Sequence, residues 1–169
     1  ISVQEAVAKV PILNGDVITR AAFHADAQDI DTDRLVQDFA RQVRQNGGQV
    51  ITGARVTAIA RDGDRWRIET TTGSYSASPP VHAAGPWADQ IAELAGVAPL
   101  GLTPLRRSIA RIPAPRGHDV RKWPMFFGAG ETWYAKPDAG ALLVSPAEEH
   151  LTTPHDAWAD DMVLAEGID

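Results

Sequence analysis

Apolar residues at helical spacing follow an acidic cluster in the first third of the chain. Asp31 or Thr32 can cap a helix there, and Asp33 complements the positive end of the helix dipole. Gly47-Gly48 ends the pattern, since glycine is common just past a helix. The pattern therefore predicts an amphipathic helix. Its apolar face carries Leu35, Val36, Phe39, Ala40 and Val43.

From residue 49 to residue 83 the apolar period changes to two, which is typical of strands. Asp62-Gly63-Asp64 predicts a hairpin turn, and alternation continues along the return strand. Strands are predicted at 49–52, 55–61, 66–70, 74–77 and 81–83, with an earlier strand at 16–23 and a helix at 86–95. The order of helix, strand, meander, strand and helix predicts one half of a three-layer nucleotide-binding domain with an inserted β-meander.

From about residue 100, prolines separate short β-like runs. These predict strands at 105–112, 124–127, 132–136 and 141–145, and the residues from 154 onward predict the start of a helix. We expect an antiparallel sheet that does not belong to the preceding layer. The predicted fold class is therefore a combination of α/β and α+β.

The composition excludes several classes of function. The chain has 169 residues, a formal net charge of −6 and no cysteine. The negative charge argues against a general nucleic-acid surface, and no apolar run approaches the length of a membrane span. The lack of cysteine excludes disulfides, thiolate metal sites and a cysteine nucleophile. The five histidines lack metal-site spacing, and the serines lack the context of a nucleophile elbow, so we expect no metal and no hydrolase triad.

Residues 81–89, Val-His-Ala-Ala-Gly-Pro-Trp-Ala-Asp, describe a place where a ligand can approach the backbone. Ala84 and Gly85 are small, and Pro86 suits the first position of a helix. The start of that helix would favour an anionic group such as phosphate. An ordinary strand, turn and helix would show the same pattern.

Two further features suggest a binding site for an amino acid. Arg106 and Arg107 are adjacent in a predicted strand, so their side chains point to opposite faces, and a guanidinium on a covered face suits bidentate capture of a carboxylate. Tyr134 and Lys136 share one face of a neighbouring predicted strand, and Trp133 takes the other. A structural salt bridge and ordinary aromatic packing would explain these features equally well.

The motif at 81–89 resembles the Val-Asn-Ala-Ala-Gly-x-Trp signature of the D-amino-acid oxidase superfamily of FAD enzymes. Further similarity extends along nearly the whole chain and is closest to the FAD-dependent D-arginine dehydrogenases. The segments that carry it are Asp29-Ile-Asp-Thr-Asp, Pro99-Leu-Gly-Leu-x-Pro, Arg106-Arg-Ser, Trp123-Pro-Met, Tyr134-x-Lys-Pro-Asp-Ala-Gly and Ser145-Pro-Ala.

The resemblance implies FAD as cofactor and oxidative deamination of a D-amino acid to a 2-oxo acid and ammonia by hydride transfer to the flavin. By position, Arg107 matches the arginine that binds the substrate carboxylate, and Tyr134 matches the tyrosine near the reacting amine. Ala84 and Gly85 match the turn that approaches FAD, and Val56 matches the residue whose backbone meets the adenine. Alternatives within the superfamily are a 2-hydroxy-acid or glycerol-3-phosphate dehydrogenase, and outside it an inert domain fragment.

The chain also departs from the family pattern. It lacks the amino-terminal Gly-x-Gly-x-x-Gly unit and the carboxy-terminal segment, so we expect a central fragment that is inactive alone. His82 replaces the usual Asn, and Pro79-Pro80 shorten the strand before the signature. The implied domains are 1–24 and 101–169 for the substrate domain and 25–100 for part of the FAD-binding domain. We expect a cytoplasmic protein with a small-molecule partner; its oligomeric state stays open.

Overall fold

The computed structural model describes residues 1–158 and 161–168. The chain divides into two compact units. One unit combines Ile1–Ala25 with Pro104–Asp169, and the other is Asp26–Thr103. Both mix helices with antiparallel strands, so the predicted fold class is confirmed.

The unit Asp26–Thr103 is built around a β-meander. Its elements are α2 (Thr32–Gln45), β1 (Val56–Asp62), β2 (Arg65–Thr70), β3 (Gly73–Ala77) and α3 (Ala88–Leu94). The three strands pair antiparallel in the order β1-β2-β3. Ile59 stands opposite Ile68, and Ile68 stands opposite Tyr75, so bulky residues line one row across the sheet. Gly63 has a φ of 63° in the tight turn between β1 and β2, as the hairpin motif predicts.

Helix α2 forms where the periodicity predicts it. The Asp31 carboxylate accepts the N–H of Arg34 at 3.0 Å and so caps the first turn. The helix ends at Gln45, and Gly47, two residues further on, has a φ of 79°. None of its residues is buried, and its apolar face lies exposed within this unit.

Three predicted strands are wrong. Residues 16–23, 49–52 and 81–83 are turns or irregular chain. A strand needs a neighbour to take its N–H and C=O groups, and none of these segments has a paired neighbour among the described residues. Pro79 and Pro80 also remove two donors just before the last of them.

In its described residues, the other unit contains two separate antiparallel sheets and two α-helices. Its elements are α1 (Val3–Lys9), β4 (Leu105–Arg106), β5 (Ala110–Pro113), β6 (Phe126–Phe127), β7 (Tyr134–Asp138), β8 (Ala141–Ser145), β9 (His150–Leu151) and α4 (Asp161–Ile168). Four strands pair in the order β5-β8-β7-β6, and β4 pairs only with β9. The predicted strand 105–112 is therefore two strands in two sheets. The predicted antiparallel sheet is confirmed.

The core of this unit lies against the four-stranded sheet. Ala135 and Leu142 are buried on its central strands, and Val10 and Val120 are buried outside it. A row of edge-on aromatic contacts runs beside β6, joining His118 to Trp123, Trp123 to Phe126 and Phe126 to Trp133. Among the described helices, none combines the length and apolar character that crossing a membrane requires.

Candidate functional site

A cleft of about 410 Å³ opens in the unit that contains the two sheets. Both of the residues expected to bind substrate line it. The full set is Arg107, Met125, Phe127, Glu131, Trp133 and Tyr134. The cleft therefore combines one cation, one carboxylate, a phenol and an apolar wall.

Tyr134 is the first residue of β7, which lies between two other strands. It pairs with Phe127 of β6 on one side and with Ser145 of β8 on the other. Ser145 is fully buried, which anchors this end of the strand in the core. The backbone of Tyr134 is thus held from both sides, and its half-buried side chain and that of its neighbour Phe127 line the cleft together.

Arg107 reaches the same cleft from the two-stranded sheet. It directly follows β4, where Arg106 pairs with His150 of β9. Continuing that register sets Arg107 opposite Glu149, and its Nη2 donates to Oε1 of Glu149 at 2.7 Å. The expectation that the arginine and the tyrosine stand on adjacent strands is therefore wrong. Residues 146–149, which connect β8 to β9, link the two sheets instead.

The loop between β6 and β7 forms one wall of the cleft. It closes a β-hairpin, and Glu131 within it has a φ of 53° and donates its N–H to the carbonyl of Gly128 at 2.9 Å. A Cβ on Gly128 would lie 2.8 Å from Nε1 of Trp133, so the indole packs directly on the loop backbone. Trp133 precedes β7 and lines the same cleft as Tyr134. Its ring packs edge-on against Phe126, whereas Tyr134 pairs with the next residue, Phe127, so the prediction that the two side chains take opposite faces stays a prediction.

Met125, Phe127 and Glu131 were not identified from the sequence. Met125 and Phe127 are two residues apart around a strand, so period-two alternation was a usable signal for a shared face. Glu131 carried no comparable signal, because its position depends on a left-handed backbone conformation in the loop.

The predicted cofactor contacts lie in the other unit. Ala84 is half-buried and precedes a single 3-10 turn, Gly85–Trp87, which leads into the seven-residue α3. Gly85 has a φ of 55°, and no atom lies within 4 Å of the position of an added Cβ. The backbone is thus open on this side of Gly85, which fits close approach by a flat ring system such as that of FAD.

His82 and Val56 complete the local geometry of this unit. The imidazole Nε2 of His82 lies 2.9 Å from the carbonyl oxygen of Ala88, so the side chain spans the bend. Val56 is half-buried at the start of β1, opposite Thr70. Its backbone position is fixed by the meander.

Titratable side chains do not cluster as metal ligands in the part of the chain that the structure describes. Across residues 1–158 and 161–168, no group of three His, Asp or Glu side chains could hold a metal ion.

Comparison with known proteins identifies the family. The sequence profile of the FAD dependent oxidoreductase family, DAO, matches residues 1–168. The chain belongs to this family. This membership agrees with the superfamily resemblance of the motifs.

Two relatives are longer than this chain. It is 26% identical over 161 residues to the mitochondrial dimethylglycine dehydrogenase of Homo sapiens, which covers 90% of this chain and 18% of that protein. The solved structure of L-proline dehydrogenase from P. horikoshii superimposes with a TM-score of 0.76 at 18% identity, over 99% of this chain and 45% of that one. At that identity, the structural likeness shows a shared fold. The chain spans less than half the length of either relative.

The comparisons bear on the substrate only at the level of the family. The relatives are named for dimethylglycine and L-proline, so the closer resemblance to D-arginine dehydrogenases stays a prediction. The roles of Arg107, Tyr134, Val56, Ala84 and Gly85 also stay predictions.

Proposed function

We propose that this chain supplies the substrate cleft and part of the flavin contact of an FAD-dependent oxidoreductase that deaminates D-amino acids. The observation that carries the proposal is that Arg107 and Tyr134 line a single cleft, although they belong to different sheets. That arrangement pairs a fixed cation with a phenol, and an amino acid offers a carboxylate and an amine to match them.

Arg107 would bind the substrate carboxylate. Its guanidinium is planar and carries five N–H donors, which match a carboxylate in a two-point contact. Only Nη2 is needed for the bond to Glu149, so further donors remain available for a ligand. This contact would fix the carboxylate end of the substrate.

Tyr134 would hold the amine close to the reacting carbon. Its hydroxyl can accept a hydrogen bond from an ammonium or donate one to a free amine. Because the strand that carries Tyr134 is paired on both sides, the backbone from which the phenol extends is held in a well-defined position. The apolar surfaces of Phe127, Trp133 and Met125 would cover the substrate and limit access by water.

When bound to the full-length protein, FAD would supply an acceptor for the hydride that leaves Cα. The open bend at Ala84 and Gly85 and the backbone of Val56 would hold the cofactor. Loss of the hydride with its electron pair from Cα, and of one proton from the amine to water, would leave an imino acid. Water then converts it to a 2-oxo acid and ammonia.

A second candidate is oxidation of an N-substituted amino acid. It is favoured by the relatives, which are named as dimethylglycine and L-proline dehydrogenases. Arg107 would bind the carboxylate in the same way, so the two candidates differ in the substituents on the nitrogen and, for L-proline, in the handedness of Cα.

Anaerobic flavin reduction in the full-length protein tests the proposal. The protein is mixed with D-arginine, D-alanine, their L-enantiomers, L-proline, dimethylglycine and a 2-hydroxy acid, and the loss of flavin absorbance is followed. Bleaching by the D-amino acids and not by their enantiomers is expected. Bleaching by L-proline or dimethylglycine alone would favour the second candidate. Bleaching by the 2-hydroxy acid alone would overturn both.

A further inference from the structure

We infer that Glu149 is a built-in competitor for Arg107 and sets the affinity of the cleft for carboxylates. The inference rests on the proposed function in one respect only, namely that Arg107 receives a carboxylate ligand. It concerns a residue that does not itself line the cleft, and it assigns that residue a role in tuning affinity.

The backbone fixes Glu149 next to Arg107. The two residues stand opposite each other in the continued register of β4 and β9. One position along, the Glu148 carboxylate accepts the backbone N–H of Ser108, which is buried. Two carboxylates therefore connect the segment before β9 to the segment after β4. That of Glu148 binds a backbone N–H, and that of Glu149 binds the side chain of Arg107, which lines the cleft.

The chemistry of Glu149 is that of the ligand itself. A substrate carboxylate would have to share the guanidinium with the Glu149 carboxylate and tolerate its negative charge nearby. The side chains of Arg107 and Glu149 are 42% and 64% exposed, so solvent screens the pair and its influence is modest. Removing the charge of Glu149 should therefore tighten carboxylate binding by about twofold to fivefold.

Glu149→Gln is the appropriate variant, because glutamine keeps the size and an acceptor oxygen while losing the charge. Calorimetric titration of the FAD-loaded full-length protein with pyruvate measures the dissociation constant directly. We expect Glu149→Gln to lower it about twofold to fivefold, and to lower KM for any reducing amino acid by the same factor at constant kcat. The difference should shrink as salt is raised, because both effects are electrostatic.

Asp138→Asn is the matched control. Asp138 accepts from Nε of Arg111 at 2.9 Å, with side chains 43% and 55% exposed, and neither residue lines the cleft. This control should leave pyruvate binding unchanged. Glu149→Ala serves as a second variant and should also bind pyruvate more tightly than the unmodified protein.

The outcomes separate this inference from the proposed function. Tighter pyruvate binding in Glu149→Gln without flavin reduction by any amino acid would support the inference and overturn the function. Flavin reduction by an amino acid, with unchanged or weaker pyruvate binding in both Glu149 variants, would support the function and overturn the inference. No pyruvate binding by the unmodified protein, or equal tightening in Asp138→Asn, would overturn the inference.

Discussion

The imidazole of His82 donates from Nε2 to the carbonyl oxygen of Ala88 at 2.9 Å. Its Nδ1 lies 3.4 Å from the backbone nitrogen of Ala84 and accepts that N–H. A carbonyl oxygen only accepts and a backbone N–H only donates, so the two contacts together require the neutral ring with its proton on Nε2. The side chain thereby clamps both ends of the bend that is proposed to contact FAD.

Three substitutions at His82 separate its two contacts. Asparagine places a polar atom near the position of Nδ1, glutamine places one near Nε2, and phenylalanine removes both. Since a neutral hydrogen bond contributes about 0.5–1.5 kcal/mol, the loss of both in His82→Phe should weaken FAD binding by the full-length protein by about fivefold to 150-fold, with the polar variants in between. Equilibrium titration of the apoprotein, followed by flavin fluorescence, gives the dissociation constants. Equal FAD affinity in all four proteins would contradict the clamp.

Local patterns in the sequence predict the local elements well. Asp31 and the paired glycines bound helix α2 because caps act over one turn, and Gly63 marks a hairpin because a tight turn needs a positive φ. The failures are the strands at 16–23, 49–52 and 81–83. Periodicity cannot reveal whether a segment has a neighbour to pair with, and pairing decides whether an extended segment is a strand.

The sequence allowed us to predict which residues form the candidate site, but not how they are arranged in space. Arg107 and Tyr134 were identified from their chemistry and from the resemblance, and the structure brings both to one cleft. Their placement in two sheets follows from the path of the chain through residues 146–149, which no local pattern encodes. The exposed apolar face of α2 shows the same limit, because a periodic pattern gives the face of a helix without giving what lies against it.

Asp89 anchors the end of its unit through backbone contacts. Its carboxylate accepts three successive N–H groups, from Leu100, Gly101 and Leu102, at 2.9 to 3.0 Å. Replacing it with alanine leaves these donors without their charged acceptor. Asp89→Ala should lower the free energy of unfolding by about 1–3 kcal/mol, measured by urea denaturation. Asp64→Asn, in the exposed hairpin turn, is the control and should stay within about 0.5 kcal/mol. An equal loss in both variants would show that the anchoring contacts contribute nothing specific.

A substitution at Arg107 can test the geometry of carboxylate binding separately from the positive charge. Arg107→Lys keeps the positive charge and loses the planar fork, so a two-point contact becomes a single one. Hydrogen bonds to charged groups contribute about 1.5–3 kcal/mol, so KM for the reducing amino acid should rise about tenfold to a hundredfold. Steady-state kinetics of the full-length protein measure this change, and Arg111→Lys is the control. A KM equal to that of the unmodified protein would show that the guanidinium does not hold the substrate.

The ion pair of Asp119 with Arg121 predicts how the stability of the fold depends on pH. A side-chain hydrogen bond from Arg121, strengthened by the backbone N–H of the same residue, lowers the pKa of Asp119 from its ordinary 3.8 to about 2. Because the folded state holds the proton less tightly than the unfolded chain, this contact contributes stability above pH 3.8 and loses it as the pH falls towards about 2. Side-chain carboxyl NMR shifts followed between pH 1 and pH 6 should give an Asp119 midpoint near the lower value. In Arg121→Met, the midpoint should return towards the ordinary one, because both side-chain donors are lost. A midpoint that stays low in Arg121→Met would assign the shift to the backbone N–H alone.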